Sequence, residues 1–181
     1  MYLLDANVLI DANRDYYRIG SVDEFWEWLV HHGEQGNIKV PEEIYDEIKA
    51  GKDDLAAWVK ENETEAALKL AEEVDIELVR KVTREGYGDN LSDIDLEKIE
   101  RDPFLIAYAL VNPVERTIVT TENSKPTKQG ANRHIPDVSR QFELRTINTY
   151  ELTRALRFST KWKTLNSSSK RNVLYTSGMN C

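Results

Sequence analysis

The chain has 181 residues, 40% of them hydrophobic and 31% charged, which is enough apolar material for one core beneath a strongly polar surface. No apolar run approaches the roughly 20 residues of a membrane span, and Cys181, the only cysteine, excludes an intrachain disulfide and argues against thiolate metal sites. The net charge of −8 is unevenly spread: residues 1–122 are acidic, while residues 123–181 are basic.

Met1–Leu4 carries no basic flank and meets Asp5 almost at once, so it does not read as a signal peptide, and a cytoplasmic protein is expected. Tyr2–Asp5 reads as a short buried strand and Asn7–Asn13 as the start of a helix. Val22–His32 (VDEFWEWLVHH) sets Phe25, Trp26, Leu29 and Val30 at helical spacing, with its aromatics in the core. Asn37–Val40 is a second strand. Pro41 then opens a helix, acids follow in its first turn, and Gly51 stops it. Asp53–Glu61 and Glu63–Arg84 read as two helices with solvated charged faces.

Gly86–Asp93 (GYGDNLSD) is a loop. RDPFLIAYALV offers Asp102 as N-cap, Pro103 at the first helical position and an apolar helix behind them. Thr117–Thr121 is a β-branched strand ending at Glu122, and NSKPTKQGANRHIPD has the composition of a long loop. Leu144–Ile147 is a strand and Asn148–Phe158 a last helix. Strands alternating with helices call for an α/β fold of three layers, α/β/α, around a mostly parallel sheet. Residues 1–157 form that domain, and 158–181 read as a polar, basic, mobile tail in which Trp162 alone is a candidate to dock.

Ligands bind an open parallel sheet outside the carboxyl ends of its strands. Asp5 and Glu122 each follow a strand there, Asp102 opens a helix on the same edge, and Glu47 lies nearly two turns into the helix after the second strand. Each has a plain structural explanation. Asp5 is the hardest to dismiss, because it interrupts the run Leu3, Leu4, Ala6, Val8, Leu9, Ile10. Two carboxylates about 4 Å apart repel by roughly 4 kcal/mol at an effective dielectric near 20. Such a crevice takes up protons or holds a cation, and hard oxygen ligands select Mg²⁺ or Mn²⁺ over zinc.

LLDANVLIDA, VPEEIYDEI, DPFLIAYAL and IVTTENSK, in that order, resemble the PIN domain, a family of metal-dependent ribonucleases. The pattern is closest to its VapC-like toxin branch and covers residues 1–157. The resemblance implies a PIN-like fold and hydrolysis of RNA phosphodiesters with one or two Mg²⁺ or Mn²⁺ ions. It places the catalytic and metal-holding acids on Asp5, Glu47, Asp102 and Glu122, with Glu43 a weaker alternative to Glu47. Asn7, Thr120, Thr121 and Asp137 fall in supporting positions. The toxin branch further implies an antitoxin partner and a homodimer, for which Trp26, Trp28 and Trp58 are candidate interface residues.

Lys125, Lys128, Arg133 and Arg140 lie just past Glu122 and are candidates to guide RNA phosphates to the site. The chain departs from the family pattern in having Glu rather than Asp at position 122 and an acidic insert between Glu47 and Asp102. A catalytically silent PIN fold that binds RNA or protein is the alternative from another functional class. An Asp after the first strand also opens phosphohydrolases of the haloacid dehalogenase type. Those need a second acid where this chain has Asn7, and Lys125 is a poor match for their phosphate-binding lysine.

Overall fold

Tyr2–Leu4 forms β1, and the computed structural model, which describes residues 1–164, pairs it on both sides. Leu3 and Leu4 are wholly buried, as expected for a strand covered on both faces. Ala6–Asp11 (α1) follows at once and widens into a π-helical turn over Ala12–Tyr16. Asp23–Glu34 (α2) leads to Ile38–Lys39 (β2), and Glu42–Lys49 (α3) comes next, with Pro41 in the cap position rather than inside the helix.

Asp54–Val59 (α4) and Asn62–Leu68 (α5) correspond to the expected pair of helices only in part. The second was expected to run on to Arg84 but stops at Leu68. Lys69 is extended there and bridges to Val40, because the Val40 amide donates to the Leu68 carbonyl and Leu70 donates back to Val40. Backbone bonds to the edge of the sheet thus replace helical ones. A new helix, Ile76–Lys81 (α6), starts where the Asp75 side chain accepts the amides of Glu77 and Leu78, and it runs into a π-helical segment, Val82–Tyr87.

Two helices were hidden from the sequence reading. Asp93–Ile99 (α7) is nucleated by a reciprocal cap between Ser92 and Asp95, and Ile135–Gln141 (α9) occupies the end of the expected long loop. Between them lie Asp102–Leu110 (α8), Thr117–Val119 (β3) and a 3₁₀ turn at Gly130–Asn132. Arg145–Ile147 (β4) and Thr149–Ala155 (α10), capped by Asn148 and Glu151, end the sheet as expected.

The four strands are all parallel in the order β2-β1-β3-β4. Helices flank the sheet in a three-layer α/β/α architecture: α2 packs with α5 and its Trp28 donates to the Leu156 carbonyl just past α10, while α8 packs with α9. The connections after β1 and β3 leave in opposite directions, so the sheet reverses its winding between these neighbours and a crevice opens above their carboxyl ends.

The domain does not end at Arg157. Phe158 packs its ring 5.4 Å from Tyr17, 5.4 Å from Phe25 and 5.2 Å from Trp28. Trp162 is buried, donates its indole N–H to the Glu24 carbonyl at 2.9 Å, and lies 4.9 Å from His31, while Lys163 pairs with Glu27. The tail boundary drawn at 158 is therefore too early by at least these residues: aromatic burial outweighs the polar composition around it. The rest of the expected tail, 165–181, lies outside the described residues. Trp26 and Trp28 are core residues, and Trp58 is half-buried edge-on against Trp26 at 4.7 Å.

Candidate active site

β1 delivers Asp5 to the crevice. Its amide donates to the Val119 carbonyl, extending the β1–β3 ladder by one residue, and only 6% of its surface is exposed. β3 delivers Thr120 beside it, and the Thr120 hydroxyl donates to Asp5 Oδ2 at 2.8 Å. Burial pushes the Asp5 carboxyl up to about 6. The Thr120 bond pulls the other way, the Glu122 charge pushes it further up, and the backbone and side-chain N–H groups of Asn7 lower it. Asn7 is exposed at the mouth of the crevice. Thr121 is half-buried beside this pair.

α8 delivers the second acid. Asp102 is the first helical residue, not the cap expected of it: Arg101 holds the cap position, and Pro103 follows one place further in. Its side chain accepts the Tyr87 hydroxyl at 3.3 Å on Oδ2. Its carboxyl is pushed well above the usual range, first by burial, then by the charges of Asp5 and Glu122, with the Tyr87 bond opposing them. Among the described residues, neither Asp5 nor Asp102 forms an ion pair.

Glu122 is close enough for its charge to act on both, yet its carboxylate also reaches sideways. Oε2 accepts the Ile135 amide at 2.7 Å, capping the start of α9, and Oε1 lies 3.8 Å from His134 Nδ1. That ring nitrogen is buried and, among the described residues, has no hydrogen-bond partner. The Thr120 hydroxyl accepts the Glu122 amide, so one threonine orients both strand-end acids.

The other expected residues divide. Glu47 is exposed at the rim, where burial and the charge of Glu100 raise its carboxyl and Arg101 lowers it. The charges acting on it come from the turn before α8. Glu43, its alternative, lies beside the Tyr108 hydroxyl. Asp137 is buried but fully engaged: it accepts the Ser124 hydroxyl, the Lys125 amide at 2.6 Å and Arg140 Nη1 at 3.4 Å. It pins the 124–125 loop to α9, a supporting role at one remove from the crevice.

Arg133 is not available to a phosphate as expected. Its guanidinium donates to the Gly86 carbonyl, to Gln141 Oε1 and to the Asp137 carbonyl. Lys125, Lys128 and Arg140 are exposed along the loop and helix that follow Glu122. Tyr87 is a residue that the sequence reading does not single out. Tyr87 sits in a stretch that reads as a loop, and only the π turn of Val82–Tyr87 aims it inward.

Chemically, three carboxylates that act on one another's charge, with hydroxyl donors beside them, are a donor set of the kind that suits a hard divalent ion. The geometry is less complete, since among the described residues no group of three or more His, Cys, Asp and Glu is clustered tightly enough to hold a metal ion. Asp5, Asp102 and Glu122 are the residues that could hold one, with Glu47 at the rim.

A family model described as "Domain of unknown function (DUF4411)" matches residues 2–160. The chain belongs to the DUF4411 family. No curated protein and no solved structure matches it. The match ends at residue 160, so the DUF4411 unit takes in Phe158, the residue that closes the aromatic cluster under α2.

Proposed function

We propose that this DUF4411 chain is a Mg²⁺- or Mn²⁺-dependent endoribonuclease of the PIN type. The observation that carries the reading is that Asp5, Asp102 and Glu122 act on one another's charge at the point where the sheet reverses its winding, with Asp5 buried, Asp102 half-buried, and both pushed toward the protonated form. Buried acids without a counter-charge cost stability, so their presence in an otherwise apolar strand and helix start needs a functional reason.

A divalent ion there would lower the pKa of an attacking water and stabilise the leaving oxygen. The chain's own residues do the rest. Asp5, Asp102 and Glu122 bind through their oxygens. Thr120 and Asn7 fix the orientation of Asp5, and Tyr87 holds one oxygen of Asp102. Lys125, Lys128 and Arg140 lie where a phosphate backbone passing Glu122 would meet positive charge. A role as the toxin of a toxin–antitoxin pair, with an antitoxin chain or a second copy as partner, rests on the family resemblance alone.

The open spacing of the acids favours one rival reading, a silent PIN fold that binds RNA or protein without cutting it. One experiment separates them. Purified chain is mixed with labelled single-stranded or structured RNA in Mn²⁺, and Mn²⁺ binding is followed by calorimetry. The nuclease cleaves RNA and binds Mn²⁺, and Asp5→Asn loses both. Cleavage by Asp5→Asn at the wild-type rate overturns the proposal, and Mn²⁺ binding that ignores Asp5 and Asp102 supports the silent fold.

A further inference from the structure

Tyr87 is almost wholly buried, on a π-helical segment that no catalytic role yet explains. Its hydroxyl donates to Asp102 Oδ2 at 3.3 Å. The neighbouring residues look built to hold it there. A side chain on Gly86 would meet Val138 Cγ1 at 2.6 Å, so the π segment approaches α9 more closely than any other residue would permit. The Gly86 carbonyl is then tied by Arg133, whose other nitrogen holds the Asp137 carbonyl on α9. Gln141 reaches from the same helix to the Glu85 carbonyl.

We infer that Tyr87 is a positioning residue for Asp102, and that Gly86, Arg133 and Gln141 form the clamp that sets it. The inference rests on the proposed metal-dependent reading and deepens it. Asp102 sits on the first turn of α8, where a carboxylate can also turn back toward the amides at the helix start. The Tyr87 hydroxyl takes one oxygen and leaves the other directed by default toward the crevice shared with Asp5. Arg133 therefore acts on the site through the backbone of residue 86 and not by touching substrate. Partners of this kind, once removed from a metal ligand, typically change metal affinity by about 10- to 100-fold.

The test is Mn²⁺ calorimetry on the full chain, with thermal melting alongside, for wild type, Tyr87→Phe, Arg133→Met and the double variant. Tyr87→Phe keeps the ring and its packing. It is expected to weaken Mn²⁺ binding by about 10- to 100-fold with little change in melting temperature. Arg133→Met is expected to weaken it in the same direction, and the double variant to be no weaker than the sum of one pathway allows, that is, clearly less than additive. Wild-type affinity in Tyr87→Phe overturns the inference, as do effects that simply add. If Asp5→Asn loses Mn²⁺ while Tyr87→Phe keeps it, only the positioning role falls. If the wild-type chain binds no Mn²⁺, the nuclease reading falls first and this inference with it.

Discussion

Asp5 and Asp137 are both buried, with 6% and 7% of their surfaces exposed, yet burial has opposite outcomes for them. It is the largest single influence on each and raises both. At Asp137 it is overcome by the Ser124 hydroxyl, the Lys125 amide and the nearby Arg140 and His134 charges, so this carboxyl ends below its usual range. Asp137 sits on α9 and takes donors from the 124–125 loop, whereas Asp5 follows the central strand β1 and bonds to β3. At Asp5 the Thr120 and Asn7 donors are too few, Glu122 adds repulsion, and the carboxyl rises to about 6. The difference teaches that a buried acid is structural when donors saturate it and is a candidate for chemistry when they do not.

Exchanging the charge at each position is the most severe way to break that comparison. Asp137→Asn removes a charged acceptor from three donors and puts an NH₂ against one of them, and is expected to destabilise the fold by about 3 kcal/mol in urea unfolding. Asp5→Asn removes an uncompensated buried charge and is expected to leave stability at pH 7 unchanged or higher. A loss at Asp5 as large as at Asp137 would make the crevice acid an ordinary structural residue.

The pH profile sharpens the same contrast by a slightly smaller amount. The folded-state value of Asp5 is raised from 3.8 to about 6, so the folded chain binds the extra proton in that window. Its contribution is full below pH 4 and is lost as pH rises through 6, a decline of about 2–3 kcal/mol for this group alone. Asp102 acts in the same direction. Asp137, with its lowered value, contributes stability that is present above the usual carboxylate range and is lost on acidification. Unfolding measured from pH 4 to 7 should therefore show a downward slope with rising pH that Asp5→Asn flattens. An unchanged slope in that variant would assign the titration elsewhere.

Much of this arrangement was legible in the sequence, for reasons that are local. Leu3-Leu4-Asp5, Thr117–Thr121 and DPFLIAYAL each carry their own strand or helix signal, and strand-end logic sends their acids to one edge. What was not legible depends on contacts across the chain. The break at Lys69 needs Val40 to supply hydrogen bonds, and α9 is hidden in a polar stretch whose cap, Glu122, lies 13 residues upstream. Arg133 reads as a phosphate ligand by its neighbours Lys125 and Lys128, and only the fold reveals that the Gly86 and Asp137 carbonyls have taken its guanidinium. Phe158 and Trp162 sit in a basic, polar stretch, but a ready-made aromatic pocket under α2 outweighs its composition.

That division among the basic residues gives the smallest and most selective effect. Lys125 and Lys128 are exposed past Glu122, whereas Arg133 is committed to α9 and the π segment. If the two lysines meet RNA phosphates, Lys125→Ala with Lys128→Ala should reduce the slope of log K against log salt by about 1.4 for a single strand, at about 0.7 per contact. Arg133→Met should leave that slope where it is, although it loosens the turn that carries Tyr87. The measurement is RNA binding by the Asp5→Asn chain, which the proposed function makes unable to cut, across a salt series. A slope change on losing Arg133 would mean that its guanidinium leaves the clamp when RNA arrives, and an unchanged slope without the lysines would move the RNA path away from this loop.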